Sequence, residues 1–345
     1  LYIPPQKENY VSKAKKKEMS ISCGADPEVF LTSSATGLYI SSIGLIGGSK
    51  DSPLALPDSQ VGLTVQEDNI TMELGWTPTS VREFAPTALV ALAEAENYAK
   101  EKHAKLYIAP ALHAPHGLLA HPDAQKFGCL PDQDAYLQGA MRPPLAAAEV
   151  GDVRFAGGHL HIGYDKKKAL IPDWALVQLL DLVYLKTAIM DDYARKSKRD
   201  EWYGRPGIFR EKPYGLEYRT PSNCWLKNTY LAREIFSYAE WFLNFPKEAQ
   251  KIYRNTDWEL VKQSYENYSN QVGDWLYSWV EILPDWEGRE IHLLPSEKFP
   301  PPFNQRREAL FEPHVAALPR VPWEQRDDEQ LELEAMGIAP VQEEV

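Results

Sequence analysis

Apolar positions recur along this chain with two different periods. From Ile21 to Trp76 they alternate with polar ones in three short stretches, ISCGADPEVFL, LYISSIGLIGG and VGLTVQEDNITMELGW. Each is rich in Val, Ile or Thr and broken by Gly, Pro or Asp, the pattern of β-strands. The spacing becomes helical in TPTSVREFAPTALVALAEAENYAKEKHA, where Ser80 and Glu83 stand as a capping box and Pro86 falls in the first turns. KLYIAPALHA returns to strand, as does RFAGGHLHIGYD. A long apolar helix follows, IPDWALVQLLDLVYLKTAIMDDYARK, with Asp173 as its N-cap. After a basic, Gly-containing loop come a last strand, GLEYRTPS, and two further helices, CWLKNTYLAREIFSYAEWFLNF and AQKIYRNTDWELVKQSYENY. Strands interrupted by long helices without regular βαβ alternation predict an α+β fold with a mainly antiparallel sheet.

This division leaves a lysine-rich flexible arm over residues 1–19, a folded body over 20–298, and a Pro- and acid-rich extended tail over 299–345. The net charge of −12 argues against a general nucleic-acid or membrane-surface binder. No apolar run approaches the roughly 18 residues of a membrane span. Cys23, Cys129 and Cys224 are odd in number, widely spaced and match no metal motif. The arm has basic residues but no apolar signal core behind them. The expectation is a protein of a reducing, cytoplasmic compartment.

The strands carry unusual polar faces. Asp26 and Glu28 alternate in GADPEVF; Glu67, Asn69, Thr71 and Glu73 share a face in EDNITMEL; His159 and His161 do so in GGHLHIG; Glu217 and Arg219 do so in YGLEYRT. Any one of these is what a strand with one solvated face shows. Together they place carboxylates, imidazoles and a guanidinium where a plain solvated face carries Lys, Thr, Ser and Gln. Carboxylate oxygens with an imidazole are ligands for a hard divalent ion such as Mg²⁺ or Mn²⁺, whereas zinc more often recruits Cys or several His. Arg199, Arg205, Arg210 and Lys212 cluster just before Glu217, a segment suited to clamping phosphates or carboxylates. Neither a Walker-type phosphate loop nor a G-x-S-x-G elbow is present.

From about Gly24 to Leu226 these motifs, with FGCLPDQDAY and YGRPGIFREKPYGLEYRTPSNCWL, resemble the phage-associated type 2 amidoligases. These are COOH–NH2 ligases of the glutamine synthetase-like carboxylate–amine ligase superfamily. The resemblance implies a curved, largely antiparallel sheet, with nucleotide and metals on its concave face and helices packed on its convex side. It implies a ligase that uses ATP to phosphorylate a carboxylate, after which an amine attacks the acyl phosphate to form an amide. By position, Asp26, Glu28, Glu73, His159 and Glu217 correspond to metal ligands and His161 to a phosphate contact. Arg219 corresponds to the residue holding the substrate carboxylate or transferring phosphoryl group. Arg205, Arg210 and Lys212 correspond to basic residues that stabilise phosphoryl charge and bind nucleotide. Leu74–Gly75 and Asp134 depart from the family pattern beside the pocket. Asp68 and Asp134 are candidates for the base that takes the amine's proton. The loop 198–215 is expected to act as a lid excluding water, and Gly157 and Gly158 to leave room for nucleotide.

The substrates implied are a small-molecule or peptide carboxylate and an amine, with ATP and Mg²⁺ or Mn²⁺ as cofactors, in the host cytoplasm if the chain is phage-encoded. Self-association, or docking through the tail, is the further partner expectation. Two other readings use the same residues: a metal-dependent hydrolase in which His159 and His161 activate water, and a catalytically degenerate phage structural or partner-binding protein.

Overall fold

The computed structural model describes residues 19–125, 132–142, 151–188, 199 and 203–266. Among them eleven strands form one open sheet in which every pairing is antiparallel. Five strands matter for the site: β1 (Ser22–Ser33), β5 (Thr71–Gly75), β11 (Gly158–Gly163), β12 (Ile208–Lys212) and β13 (Gly215–Tyr218). They lie side by side in the order β5-β1-β11-β13-β12. Short strands extend the sheet: β3 (Leu54–Ala55) and β4 (Thr64–Asp68) beyond β5, and β8 (Asp132–Asp134) and β9 (Ala140–Arg142) beyond β12. β2 (Tyr39–Ile40) and β6 (Ala104–Tyr107) flank the end of β1, while β7 (Ala111–His113) and β10 (Val153–Phe155) make a separate pair.

Alternation then sorts the two faces. Cys23, Ala25, Val29 and Leu31 of β1, Met72 and Leu74 of β5, and Leu160 and Ile162 of β11 are buried in the main apolar core. Phe209 of β12 and Leu216 and Tyr218 of β13 join them. The helices close this side: α1 (Val81–Glu101), α2 (Asp173–Ala188) and α3 (Tyr230–Asn244), with α4 (Pro246–Asn255) and α5 (Trp258–Glu266). The opposite face keeps the polar residues. A smaller apolar cluster, Phe30 with Ile70, Ala109, Leu112 and Ala156, bounds that face at one end.

Several elements differ from the sequence reading, each for a local reason. LYISSIGLIGG is strand only at Tyr39–Ile40, because Gly44, Gly47 and Gly48 take left-handed φ values of 73°, 77° and 76° and turn the chain away. VGLTVQEDNITMELGW is a hairpin rather than one strand. Asn69 adopts φ 54° at the turn and its side chain accepts from the Ile70 N–H at 2.9 Å. Glu67 therefore lies opposite Met72, and its carboxylate accepts from the Gly47 N–H instead of lining up with Glu73. RFAGGHLHIGYD breaks at Ala156–Gly157 into β10 and β11, which belong to different sheets. Residues 208–212, read as part of a lid, are β12, paired on both edges within the sheet. Asp173 is the first helical residue rather than the N-cap; its carboxylate accepts from the Tyr164 hydroxyl and pairs with Lys166. Ser80 flanks α1 as expected, but its hydroxyl bonds the Glu83 carboxylate and not the backbone.

The arm, apart from Met19, and the tail lie outside the described residues, as do Cys129 and the 198 and 200–202 positions of the expected lid. Met19 is bonded to the Asn244 side chain through both its N–H and its carbonyl. No described helix is long and apolar enough to cross a membrane.

Candidate active site

Cross-strand register assembles the polar face. Glu28 pairs with Glu73, Asp26 with His159, and His161 with Glu217, which in turn pairs with Arg210. Residues remote in sequence thus form one row across five adjacent strands, since partners on a shared face stand about 5 Å apart.

The row has an acidic end and a basic end. At the acidic end Glu28, Asp68 and Glu73 bring one ligand oxygen each within 4.8 Å of one another. Gly157 N–H donates to Glu28 Oε2 at 2.8 Å, and Gln66 Nε2 donates to Glu73 Oε1 at 2.9 Å. Burial, with the Asp68 charge next, pushes Glu28 up to about 8. Burial followed by the charges of Asp26, Asp68 and Glu28 holds Glu73 well above the usual carboxylate range. Such mutual repulsion is what a bound cation relieves.

In the middle, Asp26, His161 and Glu217 form a second group with ligand atoms within 4.8 Å. His159 Nδ1 lies 3.3 Å from Asp26 and 3.8 Å from Glu217, while His161 Nε2 lies 3.1 Å from Asp26 Oδ2. Burial raises Asp26, but the two imidazoles outweigh it and keep its carboxyl well below the ordinary range. Burial and the Arg219 charge lower His159. For His161 the Asp26 and Glu217 carboxylates overcome burial and raise it. Its other nitrogen shares a 2.5 Å hydrogen bond with the Tyr214 hydroxyl. His159 Nε2 is buried without a hydrogen-bond partner, and Asp26 Oδ1 and His161 Nε2 are buried with only the ion-pair contacts just given. Unsatisfied donor atoms of carboxylate and imidazole type fit divalent cations on this face.

At the basic end Arg219 contacts Glu217, and its Nη1 lies 3.3 Å from His159 Nδ1. Lys212 Nζ pairs with Glu217 at 2.6 Å, and Arg210 Nη1 lies 3.9 Å away from it. Burial raises Glu217, yet Arg219 and the imidazoles bring it down to about 2. Arg210 Nε and Arg219 Nε converge on one oxygen of Asp132, at 2.9 and 3.2 Å. That shared oxygen marks where an anion is held between two guanidiniums.

Asp26, Glu28, Glu73, His159, His161, Arg210, Lys212, Glu217 and Arg219 all reach this row. The Arg205 carbonyl accepts from Thr220 Oγ1 at 3.0 Å. Arg199 is no anion clamp: it is fully buried, and its guanidinium donates to the Ala156, Thr220 and Pro221 carbonyls. Asp134 is no base for an incoming amine: it is buried, caps the turn at Ala135–Leu137 and pairs with Arg142. Asp68, the other base candidate, joins the acidic group instead. Nor do the glycines leave room for nucleotide. A Cβ on Gly157 would lie 2.5 Å from His159 Nε2, and one on Gly158 would lie 2.2 Å from the Ser222 carbonyl oxygen, so Gly157 makes room for the His159 and Glu28 side chains and Gly158 for the Ser222 backbone.

Sequence reasoning missed Gln66, Asp132, Tyr203 and Tyr214. Asp132 and Gln66 alternate with strand partners and were open to a period-two reading. Nothing in the spacing around the two tyrosines marks them.

No curated protein matches the chain. Residues 149–279 match the family model described as phage phiEco32-like COOH.NH2 ligase-type 2. The matched span carries β11, β12 and β13, and with them His159, His161, Arg210, Lys212, Glu217 and Arg219. Over that span the chain is similar to a family of carboxylate–amine ligases, the resemblance its motifs indicated.

Proposed function

We propose that this chain is an ATP-dependent carboxylate–amine ligase that forms an amide through an acyl phosphate, on a sheet of glutamine synthetase-like type. The observation that carries this reading is the pairing, on one sheet face, of two metal-type groups with a basic end. A nucleotide's γ-phosphate and a substrate carboxylate are both anionic, so joining them requires cations placed on both sides.

Asp26, His161 and Glu217, and next to them Glu28, Asp68 and Glu73, would hold divalent ions, with His159 beside the first group. Bound there, such ions supply charge neutralisation and orientation for the phosphates. Lys212 and Arg210 neutralise phosphoryl oxygens from the β12 side. Arg219, fixed by Glu217 and Asp132, presents its fork to the carboxylate or to the phosphoryl group in transfer. The carboxylate oxygen attacks the γ-phosphorus and ADP leaves. The deprotonated amine then attacks the acyl carbon and phosphate leaves.

An isotope experiment tests this directly. The protein is incubated with MgATP and a panel of ¹⁸O-carboxylate amino acids and peptides with amines. Release of ADP that needs both substrates and a divalent ion, with ¹⁸O carried into the phosphate, is the expected outcome. Product formed without nucleotide would instead point to a hydrolase.

A further inference from the structure

Tyr203 is held on several sides. Its ring stacks on Phe155 with centroids 6.0 Å apart and planes 8° from parallel. The Arg199 guanidinium carbon lies 5.2 Å from its centroid, and that of Arg219 lies 5.9 Å away. The His159 ring is tilted against it at 5.8 Å. Arg199 is itself fully buried, donating to the Ala156, Thr220 and Pro221 carbonyls at 3.2, 2.8 and 2.9 Å. Even the next residue is pinned, since a Cβ on Gly204 would lie 1.7 Å from Arg199 Nη1.

This clamp aims the hydroxyl at the seam between the two ends of the site. Tyr203 Oη donates to Glu28 Oε1 at 3.3 Å and accepts from Arg219 Nη2 at 3.5 Å. Both bonds are long, so a better acceptor arriving at ordinary distance displaces the first. Glu28 belongs to the acidic group and Arg219 to the basic end, and on the ligase reading the phosphoryl group passes between them.

We infer that Tyr203 is a further catalytic residue, whose hydroxyl donates a hydrogen bond to the phosphoryl oxygens during transfer; this rests on the ligase reading. In that step the bond from γ-phosphorus to the ADP oxygen breaks and one to the substrate carboxylate oxygen forms. Tyr203 keeps its proton throughout. A donor fixed before reaction at the point where charge spreads lowers the barrier without reorganisation, and removing one typically costs about 10²–10³ in turnover.

Tyr203→Phe keeps the ring contacts and removes only the hydroxyl. Binding is measured by calorimetry with MgADP alone and with MgADP plus aluminium fluoride, which mimics a phosphoryl group in flight. The expected result is unchanged MgADP affinity, at least a tenfold loss of the extra affinity that fluoroaluminate confers, and a fall in kcat of about 100-fold with KM for ATP unchanged. Equal fluoroaluminate enhancement in both proteins overturns the role of Tyr203 and leaves the ligase reading standing. Failure of the wild-type protein to bind MgADP overturns that reading, and this inference with it.

Discussion

Burial and the neighbouring Asp68 and Asp26 carboxylates push Glu28 up to about 8, although the Gly157 amide and Arg219 pull the other way. In the unfolded chain the same group titrates near 4.5. Between those values the cation-free folded state holds the proton and the unfolded state does not, so stability falls as pH rises through that window. Glu28→Gln removes the titration and keeps the amide-to-oxygen bond from Gly157. In EDTA, the variant's melting temperature should exceed the wild type's at pH 8 and approach it at pH 5. With MnCl2 present, the wild type should gain more stability than the variant. Equal pH slopes in EDTA would remove Glu28 as the source. Gly157→Ala is a sharper probe of His159, because its Cβ would fall 2.5 Å from Nε2. The imidazole must turn, and we expect Mn²⁺ affinity to fall about 10–100-fold, the usual scale for disturbing a ligand's support. Titration followed by the Mn²⁺ EPR signal reads this, and unchanged affinity would exclude His159 from the site.

Helix α2 and strand β13 meet through a buried carboxyl. Asp181 accepts from the Tyr218 hydroxyl at 2.6 Å and from Thr220 Oγ1 at 3.3 Å, on the core side of the strand that presents Glu217 and Arg219 to the site. Burial raises its titration to about 7 from 3.8, against the pull of those hydroxyls. The folded state therefore holds the extra proton between those values, and the helix–strand contact weakens as pH rises through them. Asp181→Asn keeps an acceptor for both hydroxyls. Compared by urea unfolding in a Glu28→Gln background, it should flatten the loss of stability between pH 4 and 7 by up to about 1 kcal/mol per pH unit. Parallel curves would mean that Asp181 does not titrate there. Element by element, legibility followed locality. The alternation of β11 is written in GHLHIG, because Leu160 and Ile162 need only the core beneath them. The hairpin at Asn69 was hidden by alternation that runs unbroken through its turn. β12 was hidden because Arg210 and Lys212 read as loop, although Ile208 and Phe209 between the glycines and the charges are buried. Tyr203 and Asp132 gain their meaning only from partners on other strands, and register over such separations is set by the whole sheet.

Across the whole molecule, the groups that would hold cations run from Asp26 to Glu217 and sit on β1, β4, β5, β11 and β13. No two of these strands come from one contiguous segment except the β4–β5 hairpin, so an ion bound there ties together parts that the unfolded chain keeps far apart. The unfolded chain has no such site. Ligand at a hundredfold excess over its dissociation constant therefore stabilises the folded state by about 3 kcal/mol per site. For a folded body of this size that amounts to a shift of several degrees in a single cooperative transition. The net charge of −12 offers a competing cause, since any salt relieves repulsion among like charges. Scanning calorimetry with MnCl2, with MgCl2 and with NaCl at matched ionic strength separates the two. A shift that saturates with Mn²⁺ or Mg²⁺, is absent with NaCl and is smaller in Glu28→Gln is the expected result. A shift of equal size in all three salts would mean that the sheet face gathers negative charge without binding an ion, and the phosphoryl-transfer reading would lose its foundation.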